Sequence, residues 1–451
     1  MTFAIAHIEE QLDSFSQYER LEALQELIDL ATEGKIKFNE TKNEVNLHFH
    51  TFFSFNANNW SPSRIAWEAK KYGLSVVGIV DFDVLDALEE FFEACKILNI
   101  KNTVSMETRV FIKEYSEHVI NSPNEPGISY FMAAGCYKIP SKDSEAYQTL
   151  SFLKKTATER NIQVIKNINL HHPIIAIDYQ NDVLPLTPSD NATERHLLAA
   201  YDNKSKKVFA GNEKAMYNFW AETLGISIPE VKEMFADTPK FRDAVRNKLM
   251  KFGGVGYVAP DIQTFPSVEK VSEMAIQIGA IPTATWLDGT NSGESDMKAM
   301  LELLKTKGVS AMNIIPDRNW NIKNPKEKAV KVENLKKAVE AAREMNMPII
   351  VGTEMNKAGL PFVDNFAAPE LQPYIDDFMN GAYFLWGHTF MAKNLEMGYQ
   401  SDWAKSVFDD EKSKNEFYIE VGRLADHTKS EEVSQDNLNK LTPKEIIKKL
   451  S

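Results

Sequence analysis

The sequence predicts an α/β protein in which parallel strands alternate with helices and close into a barrel. Two observations predict it. Short apolar runs, of which residues 74–80 are the clearest, alternate repeatedly with segments of helical periodicity, and that order makes strands parallel with helices as their crossovers. Chemistry-bearing residues also recur where those strands should end, at His50, Asp81, Glu107, His171, Asp288, Asp317 and Glu354. In α/β barrels the site is assembled at the C-terminal ends of the strands.

The elements follow in order. Residues 8–34 read as helix, with Ile8, Leu12, Leu21, Leu24, Leu27 and Ile28 at helical spacing and Gly34 closing the segment. A strand over 44–50 comes next, and Ser61-Pro62 opens a helix ended by Gly73. The apolar run of 74–80 reads as a buried strand ending in Asp81; a helix over 84–97 and a strand ending at Glu107 follow. Residues 148–160 read as helix, and 163–172 as a segment whose strand end carries His171 and His172. Helices at 267–278, 296–306 and 328–345 precede strands at 280–285, 309–315 and 348–351. The apolar stretch 384–389 reads as a late strand ending in His388, with a satisfied core histidine as the plainer role.

These elements divide the chain into an N-terminal helical extension (1–40), a barrel (41–400) and a C-terminal helical extension (401–451). The irregular interval at about 174–255, polar and Pro-rich around Pro185 and Pro188, is expected to be a helical insertion over the barrel mouth. A formal charge of -13 argues against a nucleic-acid partner. Two cysteines, Cys95 and Cys136, provide neither a disulfide framework nor a zinc pattern. With no signal peptide and no apolar run of membrane length, a soluble cytoplasmic protein is expected.

The strand at 44–50 carries His48 and His50 two residues apart. Side chains at i and i+2 of a strand share a face, so both imidazoles can reach one ion. From here the motifs take on a family pattern. His48-Phe49-His50-Thr51-Phe52-Phe53-Ser54-Phe55-Asn56, Val80-Asp81-Phe82, Ser105-Met106-Glu107, Tyr130-Phe131-Met132-Ala133, Leu170-His171-His172-Pro173, Gly256 to Pro260, Gly279 to Leu287 and Gly352-Thr353-Glu354-Met355-Asn356 stand in order along the chain. Together they resemble the PHP (polymerase and histidinol phosphatase) family of metal-dependent phosphoesterases. That resemblance implies a distorted (β/α)7 barrel of the TIM type and up to three metal positions.

Mapped residue by residue, the resemblance implies one surviving metal site made of His48, His50, Glu107 and Glu354. The other positions are replaced, by Phe55, Phe82, Tyr130, Trp286 and Asn356. Two imidazoles and two carboxylates balance a divalent ion, so a single zinc, manganese or iron is expected. Asp81 is expected to orient an imidazole, and His171 or His172 to act as general acid. Arg109, Arg318 and Trp286 are candidate substrate contacts, although an arginine beside acids often only pairs with them.

The resulting expectation is a metal-dependent hydrolase, a phosphoesterase acting on a small phosphorylated molecule. Two alternatives stand beside it. One is an inactive PHP-like protein that binds a ligand or partner in a pocket made apolar by the replacements. The other is an amidohydrolase-type barrel enzyme, which also opens on His-x-His.

Overall fold

The computed structural model describes residues 2–260, 264–430 and 441–451. Seven strands follow one another in a single sheet in chain order. They are β1 (Val45–Phe49), β2 (Val76–Phe82), β3 (Lys101–Phe111), β4 (Ile128–Ala134), β5 (Ile281–Trp286), β6 (Ala311–Ile314) and β7 (Ile349–Val351). All neighbours pair in parallel except β4, which is antiparallel to both β3 and β5. The chain between β3 and β4 holds only a short 3-10 turn, so it reverses as a hairpin instead of crossing over. This reversed strand distorts an otherwise regular (β/α) barrel.

The ring closes where β1 meets the segment after β7. Phe49 bridges Glu354 in parallel, and the His50 amide donates to the Glu354 carbonyl at 2.9 Å. Asn46 reinforces the seam: its Oδ1 accepts from the His48 amide (3.0 Å) and the Thr353 amide (3.3 Å). Its Nδ2 donates to Thr353 Oγ1 (2.7 Å) and to the Phe362 carbonyl (2.8 Å). The approach demands glycine at position 352, where a Cβ would come to 2.4 Å of the His48 Cβ and 2.5 Å of Asn46 Oδ1.

Three sequence expectations fail here. The segment 163–172 is not a strand but the second half of a long helix, Glu145–His171. Val164, Ile165 and Ile168 recur at helical spacing and are buried in a second core with Tyr201 and Trp220. The stretch 384–389 lies inside helix Ile375–Leu395, which is buried nearly all round and so shows no polar stripe to mark its period. His388 is a satisfied core residue, its Nε2 at 3.0 Å from the Gly135 carbonyl and its Nδ1 accepting from the Tyr399 amide. At the N-terminus, the single helix expected over 8–34 is two, Thr2–Gln11 and Gln17–Thr32, the second capped by Ser16.

The second core belongs entirely to residues between Val164 and Met250, so the helical unit begins ahead of position 174. It rests on the barrel mouth. Asn191 Nδ2 donates to the Phe53 and Phe82 carbonyls, both at 3.0 Å, and Phe55 meets the His196 ring edge-on at 5.3 Å. Asp243 of the unit pairs with Lys357, in the loop after β7, at 2.9 Å. Beyond residue 400, Phe417, Tyr418, Val421 and Leu450 are part of the main core. Among the described residues no helix is long and apolar enough to cross a membrane.

Because no Cβ fits against β1, Gly352→Ala should cost about 1–3 kcal/mol, as overpacking does. A urea midpoint lowered accordingly, together with loss of bound metal, is the expected result. An unchanged midpoint would show that the seam yields.

Candidate metal centre

β1 delivers His48 from its last turn of pleat and His50 from the residue just beyond it, and both rings are fully buried. Their ring centroids lie 5.2 Å apart, as residues sharing a strand face should. Glu107 comes from the middle of β3, and its Oε2 lies 3.8 Å from His48 Nε2 and 3.7 Å from His50 Nε2. The three ligand atoms are all within 4.8 Å of one another.

The outer nitrogens are committed. His48 Nδ1 faces Asn313 Oδ1, on β6, at 3.2 Å; an amide oxygen only accepts, so Nδ1 carries the proton. His50 Nδ1 lies 3.1 Å from Ser54 Oγ, and that hydroxyl donates to Asp81 Oδ1 at 2.6 Å. Asp81 is further held by the Thr51 amide (2.9 Å) and hydroxyl (2.7 Å). Both rings therefore turn an unprotonated Nε2 inward, and neither Nε2 has a hydrogen-bond partner among the described residues. Two buried lone pairs facing one carboxylate are costly without a cation.

The set fits a divalent ion. Ligands about 2.0–2.2 Å from an ion stand at most about 4.4 Å apart, and the two Nε2–Oε2 separations fall inside that limit. Burial, with His48 beside it, holds His50 well below its ordinary pKa, so it is a neutral ligand. Burial also works against a charged His48, but the carboxylates of Glu107 and Glu354 overcome it and raise that ring. Burial raises Glu107 in turn.

Glu354 departs from expectation. It is not one of the clustered ligands: its Oε2 is held at 2.6 Å by Arg318 Nη2. Against the pull of burial, the Arg318 charge lowers its pKa. The pair explains Arg318, whose side chain stays partly open at the rim. Glu354 and Met355 both take left-handed backbone, φ +65° and +50°, and the closure bond to His50 together with Ala57 N to the Met355 carbonyl (2.8 Å) holds them there.

Other expected site residues fall elsewhere. His171 ends its helix with its ring on the Asn167 carbonyl, exposed, and His172 packs edge-on against Phe219 of the second core. A helix in that segment removes the strand end that would have brought them to the mouth. Trp286 is buried in the main core. Strand alternation sets it on the face opposite Thr285, whose register partner Asn313 reaches His48. Arg109 pairs with Glu125 at 3.1 Å, and Asp288 with Lys331 at 3.2 Å. The aromatic replacements fill space around the cluster, Phe82 stacking on His50 at 4.6 Å. Asn313 and Ser54 escaped the sequence reading; the only available signal was a small polar residue inside or just after an apolar strand.

Fold and cluster together define an α/β barrel with a buried His-Glu cluster that could hold a metal ion. Residues 46–210 match the family model of the PHP domain. Comparison with curated proteins gives no match. Two solved structures are similar. One is an amidohydrolase from Chromobacterium violaceum with bound sulfate and no metal, 13% identical, covering 74% of this chain and 96% of its own, with a TM-score of 0.49. The other is a provisionally named metal-dependent phosphoesterase from Bifidobacterium adolescentis, 15% identical, with coverage of 74% and 96% and a TM-score of 0.46.

Purified protein should contain about one equivalent of divalent metal by elemental analysis, and His48→Ala/His50→Ala should contain none. Ser54→Ala and Asn313→Ala should each weaken metal affinity by about 10–100-fold, as loss of a ligand-orienting partner does. Full metal content in the double histidine variant would reject the site.

Proposed function

We propose that this protein is a metal-dependent hydrolase, a phosphoesterase of small phosphorylated molecules, with one zinc, manganese or iron held by His48, His50 and Glu107. The observation that carries this reading is the ligand set: two imidazoles, His50 held neutral by burial, and one carboxylate, with Glu354 paired to Arg318. Three protein ligands leave a position open, the arrangement of a catalytic rather than a structural ion. When bound, a divalent ion there supplies Lewis acidity toward a phosphoryl oxygen and acidifies water.

The chain's own residues do the rest. Asn313, and Asp81 acting through Ser54, keep both rings in the ligating tautomer. Arg318 offers the remaining guanidinium donors to phosphoryl oxygens while its Nη2 holds Glu354. Tyr130, the β4 register partner of Arg109, keeps its proton because burial outweighs the Arg109 and Arg246 charges. It is our candidate proton donor to the leaving oxygen, replacing the histidines that lie elsewhere. The helical unit excludes water through Asn191 and His196.

One observation favours a second reading, a PHP-like binding protein without turnover: both histidines are fully buried under the helical unit. The test is hydrolysis of aryl phosphomonoesters and diesters with added manganese, zinc or iron. Turnover should fall to background in Glu107→Gln and on chelation. In Arg318→Ala it should drop roughly 10–100-fold, the worth of a charge-assisted hydrogen bond of about 1.5–3 kcal/mol. Metal-loaded protein with no turnover on either ester class would sink the hydrolase and favour the binding protein.

A further inference from the structure

One side chain of the helical unit reaches the strands that carry the His-Glu cluster. Asn191 lies in the loop between the 3-10 turn Leu184–Leu186 and helix Glu194–Val208, and it is buried. Its Nδ2 donates to two barrel carbonyls, those of Phe53 and Phe82, each at 3.0 Å. Carbonyl oxygens only accept, so the atom between them is the nitrogen, and a primary amide carries the two N–H groups that both bonds need. Neither a hydroxyl nor a carboxylate offers two.

The loop is braced on both sides of Asn191. Asp190 pairs with Lys154, and the Ala192 carbonyl accepts from Asn161 Nδ2 at 2.7 Å; both partners stand on helix Glu145–His171. The Asn191 amide turns back to Ser189 Oγ at 3.4 Å, and Thr193 caps the helix that follows. The carboxamide is therefore presented to the barrel already in place.

The two carbonyls flank the partners of His50. Phe53 leads into Ser54, whose hydroxyl joins His50 Nδ1 to Asp81. Phe82 follows Asp81, and its ring stacks on His50 at 4.6 Å. The peptide that Asn191 holds by the Phe82 carbonyl also sends its N–H, that of Asp83, to the Glu107 carbonyl at 2.9 Å. One nitrogen thus ties the backbone before Ser54 to the backbone after Asp81, one peptide away from Glu107. Ligand rings bind well only when such outer contacts hold their orientation.

We propose that Asn191 is a positioning residue for the cluster: the helical unit supplies a carboxamide that fixes His50 through Ser54, with Phe82 held flat against the ring. Hydrogen bonds within the barrel decide which nitrogen of His50 faces inward, and Asn191 decides how firmly the ring is held there. The helical unit is then part of the metal site as well as its cover. This inference rests on the metal-binding half of the reading above and is independent of turnover and substrate.

The test follows cobalt(II) binding to full-length, chelator-stripped protein, by competition with a chromogenic chelator, together with the visible spectrum of the loaded protein. Asn191→Ala should bind cobalt about tenfold more weakly than wild type, as loss of a ligand-orienting partner does, with altered visible bands. Asn191→Leu keeps the bulk without a donor, should behave alike, and carries the test should Asn191→Ala not fold. Lys357→Ala removes a different contact between unit and barrel, the pair with Asp243, and should stay within about twofold of wild type. Added to Ser54→Ala, Asn191→Ala should cost about twofold or less; added to Asn313→Ala, it should multiply the two losses. Wild-type affinity and spectrum in the folded Asn191 variants, an equal loss in Lys357→Ala, or losses that multiply with Ser54→Ala as well would each overturn the positioning role. Wild-type protein that takes no cobalt would overturn the cluster and this role together. Cobalt binding in the expected pattern without ester turnover would count against the hydrolase alone.

Discussion

Asn46 and Gly352 face each other across the seam where the first strand meets the chain leaving the last one. Through that contact a curled sheet becomes a closed barrel, with the Asn46 side chain bonded to both strands' continuations and no room for a Cβ opposite. The same seam places the site. His48 and His50 sit on one side of it and Glu354 on the other, joined by the amide-to-carbonyl bond between His50 and Glu354. The candidate metal cluster and the barrel closure are therefore the same piece of structure, and a change that loosens one loosens the other. Left-handed backbone at Glu354 and Met355 is tolerable only because this seam over-determines it.

Around the seam, aromatic side chains pack against the cluster and the helical unit. Phe82 lies flat on the His50 ring, and Phe55 reaches into the helical unit at His196. These rings shield the cluster and tie the unit to the mouth. Electrostatics divides the remaining charge between two neighbouring places. Glu107 faces the imidazoles, whereas Glu354 is neutralised by Arg318; one strand step outward, Arg109 pairs with Glu125.

Much of the barrel was legible in the sequence. Apolar runs bounded by turn residues located β1, β2, β5, β6 and β7 to within a few residues, because buried parallel strands leave that signature. The His-x-His pair followed from strand alternation alone. The failures share a cause. Residues 163–168 and 384–389 are helical segments buried against other helices, and an apolar run without a polar face has no visible period. His171 and His172 were misplaced through that error, since their assigned role required a strand end. Trp286, expected as a substrate contact, lies on the strand face opposite Thr285, which only the register with β6 settles.

The sequence by itself determined the α/β class, the sharing of one face by His48 and His50, and the presence of carboxylates enough for a metal, because these depend on local periodicity and residue chemistry. Only the tertiary structure decided which carboxylate joins the imidazoles. Arg318 is 36 residues from Glu354 in the chain yet at hydrogen-bond distance in space, and that pairing removes Glu354 from the ligand cluster. Likewise Arg109, on β3, and Arg160, in helix Glu145–His171, are brought together only in space, where both face Glu125. Charge neutralisation acts through space over a few ångströms, and no reading along the chain reveals which distant partner will supply it.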